Sequence, residues 1–150
     1  MFLEIILWVN VISPELHPRR KSRESVLKAL YAYSNQNENP TLVLKRVLSL
    51  ISMKSSTDSA YIENLYSLVL KNNELTDKLI KKNLKNWKFN RIAELDKILL
   101  RMGICEIIFM DDIPPKASIT EMVEIAKIYS TEDSSSFVNG VLDSVYKEIK

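Results

Sequence analysis

The residues of this sequence best equipped for chemistry are cations. Arg19, Arg20, Lys21 and Arg23 place four positive charges within five positions, with Glu24 beside them as the nearby counter-charge. Such side chains hold phosphate oxygens, and the affinity they supply for nucleic acid depends on salt and is largely blind to base sequence. The run stands on what reads as an exposed lead-in to the first helix, where a solvated basic turn fits it equally well. A second basic stretch, Lys78, Lys81, Lys82, Lys85, Lys88 and Arg91, has Asp77 as its close counter-charge. Lysines at helical spacing ordinarily form the wet face of an amphipathic helix, and that is the preferred account of this stretch.

The other reactive side chains are scattered. His17, the one histidine, lies among Ser13, Pro14 and Pro18, a set that breaks regular structure. Cys105, the one cysteine, sits in an apolar run, can form no internal disulfide, and is expected to be a buried structural thiol in a reducing compartment. Asp111 and Asp112 are adjacent but have no neighbours at metal-ligand spacing, so they read as a helix-ending turn. There is no glycine-rich phosphate loop and no nucleophile elbow. The expectation is a protein that is not an enzyme, with no catalytic residue, no metal and no cofactor.

Helices must carry the cations. The chain has only two glycines in 150 residues, too few for the hairpins of a β protein. Hydrophobic residues at 46% and charged residues at 27% suit one compact domain or two tightly packed subdomains. The net charge of +2 speaks to solubility rather than to a site. Met1 to Ile12 is apolar apart from Glu4 and Asn10, yet it lacks the basic start and cleavage site of an export signal. It is also shorter than the roughly 20 residues that span a bilayer. It is expected to be a peripheral extension that docks on an apolar groove or reflects an upstream start codon, with the protein off the membrane and in the cytoplasm.

Hydrophobic spacing predicts seven helices. The first begins near Ser22, carries Val26, Leu27, Leu30 and Tyr31 on one face, and runs to Ser34. Asn39 and Pro40 form a cap and first-turn pair for the second. Ser55 to Ser59 reads as a loop and cap before a third helix ending near Lys71, and Leu75, Leu79, Ile80 and Leu84 mark the fourth. Arg91 to Met110 is apolar on more than one face and should be central, with Pro114 and Pro115 after it. Ser118 and Glu121 form a capping box for the sixth helix. Phe137, Val138, Val141, Leu142, Val145, Tyr146 and Ile149 give the seventh, with mid-helix Gly140 expected at a close helix approach. Asn139 is expected to satisfy a buried group, for which Glu106 is a candidate.

Two segments resemble the NusB family of transcription antitermination factors. One is Arg19-Arg20-Lys21-Ser22-Arg23-Glu24 followed by Ala29-Leu30-Tyr31. The stronger covers Arg91-Ile92 through Asp96, Leu99-Leu100-Arg101-Met102 to Glu106, and Asp112-Ile113-Pro114-Pro115-Lys116-Ala117-Ser118-Ile119-Thr120-Glu121. It continues through Glu124-Ile125-Ala126-Lys127 to Phe137-Val138-Asn139-Gly140-Val141-Leu142-Asp143, a phrase specific to the family when it follows the Asp112-Ile113-Pro114 turn by one helix. The likeness spans about residues 19 to 149, is weak from 35 to 85, and leaves 1–18 outside as an extension to a domain of residues 19–150.

This resemblance implies an all-α fold of two packed helical bundles and a role in transcribing ribosomal RNA operons within the elongation complex. It implies binding to the single-stranded boxA RNA element together with NusE, the small-subunit ribosomal protein, and leaves a homodimer open. By resemblance, Arg19, Arg20, Lys21 and Arg23 match the family's arginine-rich start, and Asp133 and Phe137 match positions near the start of the last helix that contact RNA. Phe137 could stack on a base while Asp133 accepts from a base edge. By spacing alone, Phe137 equally suits a core stripe with Val141 and Val145, and Asp133 suits a helix N-terminus. Tyr31 and Asp96 resemble the family's NusE-facing positions. Two alternatives stand beside this one: a helical domain acting with a ribosomal RNA methyltransferase, disfavoured because no cofactor-binding βαβ segment follows, and a pure protein-interaction bundle.

Overall fold

A computed structural model of the chain describes residues 18–51, 56–85 and 88–150, and within them the side chains of all but residues 18 and 56–58. Seven α-helices and no strand occur among the described residues: α1 Pro18–Ser34, α2 Pro40–Leu50, α3 Ser56–Lys71, α4 Asn73–Lys82, α5 Glu94–Phe109, α6 Pro115–Tyr129 and α7 Glu132–Ile149. The all-helical expectation holds. The chain divides into two compact units, Met1–Tyr66 and Ser67–Lys150, with the boundary inside α3. The expectations for Met1 to Ile12 and for His17 fall outside the described residues. No helix among the described residues is long and apolar enough to cross a membrane.

In the first unit, α1 packs on α2, burying Val26, Leu27 and Leu30 together with Val43 and Val47. Asn39 caps α2 as its residue type predicts, its Oδ1 accepting from the backbone N–H of Thr41 at 2.9 Å and of Leu42 at 3.3 Å. The Tyr66 hydroxyl donates to the Pro40 carbonyl at 2.8 Å and ties α3 to the head of α2. Burial pushes that phenol up to about 12. The first helix starts at Pro18, not near Ser22. Proline is a helix breaker only in the interior; at the first turn its missing N–H is no loss and its fixed φ suits the helix. The basic run is therefore helical, and the exposed lead-in is corrected. Similarly, α3 opens at Ser56, within the Ser/Thr cluster read as a loop.

The second unit is organised around α5, which contacts α4, α6 and α7. Ile98, Leu99, Leu100, Met102, Ile104 and Cys105 are all buried, as a helix apolar on several faces requires. The Cys105 thiol is indeed buried and is pushed up to about 12, which keeps it protonated and unreactive. A tight 3-10 turn at Phe89–Arg91 delays the start of α5 to Glu94. The capping box at Ser118 does not form. The sixth helix begins three residues earlier, at Pro115, because the second proline of the pair is pre-shaped for a helix start. Ser118 is buried instead, and its hydroxyl donates to Glu106 Oε1 at 2.7 Å. The buried carboxylate of α5 thus takes a hydroxyl from α6, while Asn139, expected to satisfy a buried group, is exposed.

The close helix approach expected at Gly140 falls instead at the other glycine, Gly103. A Cβ built on Gly103 would lie 2.8 and 2.9 Å from the two terminal methyls of Leu142 and 3.4 Å from Met122 Cγ. A Cβ on Gly140 would meet nothing within 4 Å. The close approach of α5 and α7 is therefore at Gly103, and the expectation for Gly140 is corrected.

Gly103→Val is expected to destabilise the fold by about 1–3 kcal/mol through overpacking, whereas Gly140→Ala should add up to about 1 kcal/mol through helix propensity. Urea unfolding of both variants checks the contrast, and equal effects would be inconsistent with it. Ser118→Ala should cost about 1–3 kcal/mol in the same assay by depriving a buried carboxylate of a donor.

Candidate nucleic-acid interface

Starting α1 at Pro18 puts Arg20 and Arg23 on the same helical face as Leu27 and Leu30. Arg20 is accordingly 9% exposed and Arg23 3%, while Lys21 is exposed and Arg19 half-exposed. The guanidinium of Arg19 lies 4.3 Å from the centre of the buried Tyr61 ring, and that of Arg23 lies 5.7 Å from it. A guanidinium at these distances is attracted by the ring's negative face. Glu24 and Lys28 are buried on the same helix; burial pushes the Lys28 ammonium below its ordinary value, and the Glu24 charge opposes the shift. Of the four cations, Lys21 is the one fully offered to solvent. Tyr31 is half-exposed, and its carbonyl accepts from Ser34 Oγ at 2.7 Å and from Asn35 Nδ2 at 2.9 Å.

In the second unit the structure joins Asp96 to the start of α7. Thr131 caps that helix, its Oγ1 accepting from the Ser134 N–H at 3.1 Å. Asp96, in the first turn of α5, is 6% exposed and accepts a hydrogen bond from the Ser134 side chain. Its Oδ1 is buried with no hydrogen-bond partner among the described residues. Burial raises the Asp96 carboxyl above its ordinary range, and the bond from Ser134 pulls the other way. Asp133 is exposed in the first turn of α7. Phe137, one turn on, is half-buried. It lines a groove of about 240 Å³ with Asn83, Lys85, Gly140 and Val141.

The second basic stretch is sorted by its partners. Lys81 Nζ and Lys97 Nζ lie 4.9 and 4.7 Å from the centre of the Phe89 ring. Arg101 makes a two-pronged bond to Asp77, Nε to Oδ1 at 2.8 Å and Nη2 to Oδ2 at 3.1 Å. Lys82 pairs with Glu148 at 2.6 Å. Lys78, Lys85, Lys88 and Arg91 are exposed. Sequence reasoning missed Tyr61 as a seat for guanidinium groups, because its spacing with Leu65 and Val69 reads as plain core. It also missed the groove; an exposed mid-helix glycine was the available signal.

Fold and charge placement define an all-helical protein that displays cations on its opening helix and, in its second unit, keeps an aromatic side chain in a groove beside a lysine. The sequence pattern of the NusB family matches residues 20–147, and the chain belongs to that family. It is 41% identical over 132 residues to the transcription antitermination protein NusB of Chloroherpeton thalassium, covering 88% of this chain and 63% of that one, less than two thirds of that relative's length. It is 39% identical over 136 residues to the protein of the same name from Clostridium novyi, covering 86% and 98%. Among solved structures, an antitermination factor NusB crystallised with NusE and double-stranded RNA is similar at a TM-score of 0.81 and 28% identity, covering 89% of this chain and 99% of that chain.

The raised Asp96 carboxyl has a consequence for stability. The folded state holds this proton more tightly than the unfolded chain, so the group lowers stability as pH rises from the unfolded value near about 4 through the folded one. Asp96→Asn, which stays neutral, is expected to unfold at a higher midpoint than wild type at neutral pH, the gap closing in acid as Asp96 takes up its proton. Thermal melts of both proteins across that range check this; a gap that does not change with pH contradicts it.

Proposed function

We propose that the chain is a transcription antitermination factor that binds boxA-containing single-stranded RNA together with NusE, within the elongation complex that transcribes ribosomal RNA operons. The observation that carries this is its likeness, over most of both chains, to a NusB crystallised with NusE and double-stranded RNA. The placement of charge supports it. Lys21 and the half-exposed Arg19 can reach phosphates, and Arg20 and Arg23, held close to the core, add positive potential behind them. Asp133 and Phe137 supply what phosphate contacts lack, an acceptor for a base edge and a ring to stack on. Tyr31 and Asp96 are the proposed NusE-facing residues; Asp96, being mostly buried, acts there through the position of the α7 N-terminus and its remaining exposed edge.

The test is a binding titration of boxA-containing and scrambled single-stranded RNA, with and without NusE. Lys21→Glu is expected to weaken binding several-fold at moderate salt and to flatten the salt dependence by about 0.7 in the log–log slope, one phosphate contact on a single strand. Its circular dichroism should match wild type, since Lys21 is exposed. If neither RNA is bound even with NusE, the chain is a protein-interaction bundle and its basic helix has no RNA role. Preference for duplex over single strand would overturn the single-stranded assignment.

A further inference from the structure

Two lysines of the second unit have a carboxylate at the spacing that makes a helical ion pair, and neither takes it. Asp77 stands four residues before Lys81 on α4, and Glu94 three residues before Lys97 on α5. Arg101 stands against both acids, its Nε 2.8 Å from Asp77 Oδ1 and its Nη1 4.0 Å from Glu94 Oε1. The two lysines share a ring instead. Lys81 Nζ is 4.9 Å and Lys97 Nζ 4.7 Å from the centre of Phe89, with the Arg101 guanidinium 6.0 Å from it.

Other lysines of this unit behave differently. Lys82 pairs with Glu148 at 2.6 Å, Lys127 with Glu124 at 3.2 Å and Lys147 with Asp143 at 2.9 Å. Around Phe89, Lys78, Lys81, Lys88, Arg91 and Lys97 have no ion-pair partner among the described residues. A merely solvated helix face would be laced with such pairs. Phe89 is half-buried at the head of its 3-10 turn, Lys97 is half-exposed, and the other four cations are exposed. Gathering like charges about one point costs repulsion, which the negative faces of the ring offset.

That make-up tells what the face suits. Protein interfaces are depleted of lysine at their core, and here the one ring is already engaged by ammonium groups. A row of phosphates needs only several point charges that no carboxylate holds. Lys85, four residues after Lys81, lines the groove that contains Phe137, so a strand passing the start of α7 reaches this face next.

We propose that α4, the Phe89 turn and α5 form a second RNA contact, a track for the sugar–phosphate backbone of nucleotides that flank boxA. Lys81 and Lys97 are its central phosphate ligands, Phe89 is the positioning residue that gathers them, and Arg101 keeps their carboxylates away. The track rests on the RNA-binding function proposed above and adds affinity without base preference.

The test uses the full chain with NusE. It compares a minimal boxA RNA with RNAs that carry an unstructured flank of one length at either end, in two base sequences. Wild type is expected to bind one flanked form several-fold more tightly than the minimal RNA, equally for both flank sequences. Its log–log salt slope should be steeper by about 1.4, two single-strand phosphate contacts at about 0.7 each. Lys81→Glu with Lys97→Glu should abolish the gain and the extra slope while binding the minimal RNA nearly as wild type does. Lys127→Glu with Lys147→Glu makes the same change in net charge at paired lysines and should keep the gain. If the first reversal lowers the melting temperature, Lys81→Gln with Lys97→Gln, which adds no charge beside Asp77 and Glu94, takes its place. No gain in wild type, a gain that survives the changes at Lys81 and Lys97, or a gain that follows the base sequence of the flank overturns the track and leaves the boxA function standing. If the gain survives and NusE binding is lost, the face belongs to a protein partner. Failure of wild type to bind the minimal RNA overturns both readings.

Discussion

The second unit depends on one close approach, that of α7 to α5 at Gly103. A helix buried along most of its length has neighbours on several sides, and a glycine lets one of them come against its backbone. The absent side chain at Gly103 leaves room for both methyls of Leu142, and Met122 of α6 closes in from beside it. Farther along, the Asp96 carboxylate meets Ser134, and Glu106 meets Ser118. The contacts at Gly103 and Asp96 set the line of α7, and the Glu106 bond fixes α6 beside it. That line decides which residues of its outer side, Phe137 and Gly140 among them, face the segment after α4 and which are sealed inside with Val138 and Leu142.

Charge is distributed by the same economy of burial. A buried ion is tolerated only with partners, since leaving water costs more than an unassisted group can recover. The inward cations illustrate the rule: Arg23 lies over Tyr61, Lys28 has Glu24, and Arg101 grips Asp77 with two bonds. Cations that face solvent, Lys21 and Lys85, are under no such demand, and they are the ones a phosphate can approach. A run of like charges in the sequence is thus divided by the helix into groups with different work: Arg20 and Arg23 help build the first unit, and Lys21 with Arg19 offers charge outward.

Much of the architecture was legible from local pattern. Helix number, the Asn39 and Pro40 start of α2, the many-sided burial of α5 and the inert Cys105 all follow from spacing and residue type, because each is settled within a turn or two of chain. The mistaken features share a cause. Pro18 reads as a stop unless it is known to be a first turn, and a helix placed four residues late turns Arg20 from a stripe residue into a surface one. Ser118 and Glu121 have the spacing of a cap, yet the proline pair before them starts the helix first and leaves Ser118 facing Glu106.

The amino-acid sequence by itself determined the helices, the positions of the cations and the family pattern of the last third, because periodicity and turn chemistry act over short stretches. Only the tertiary structure decided which glycine admits a neighbouring helix, that Asp96 is withdrawn from solvent, and that Phe137 stands at a groove rather than wholly in the core. Each of those outcomes is set by atoms distant in the chain, and a helix's own period cannot tell which of its faces a remote partner will cover.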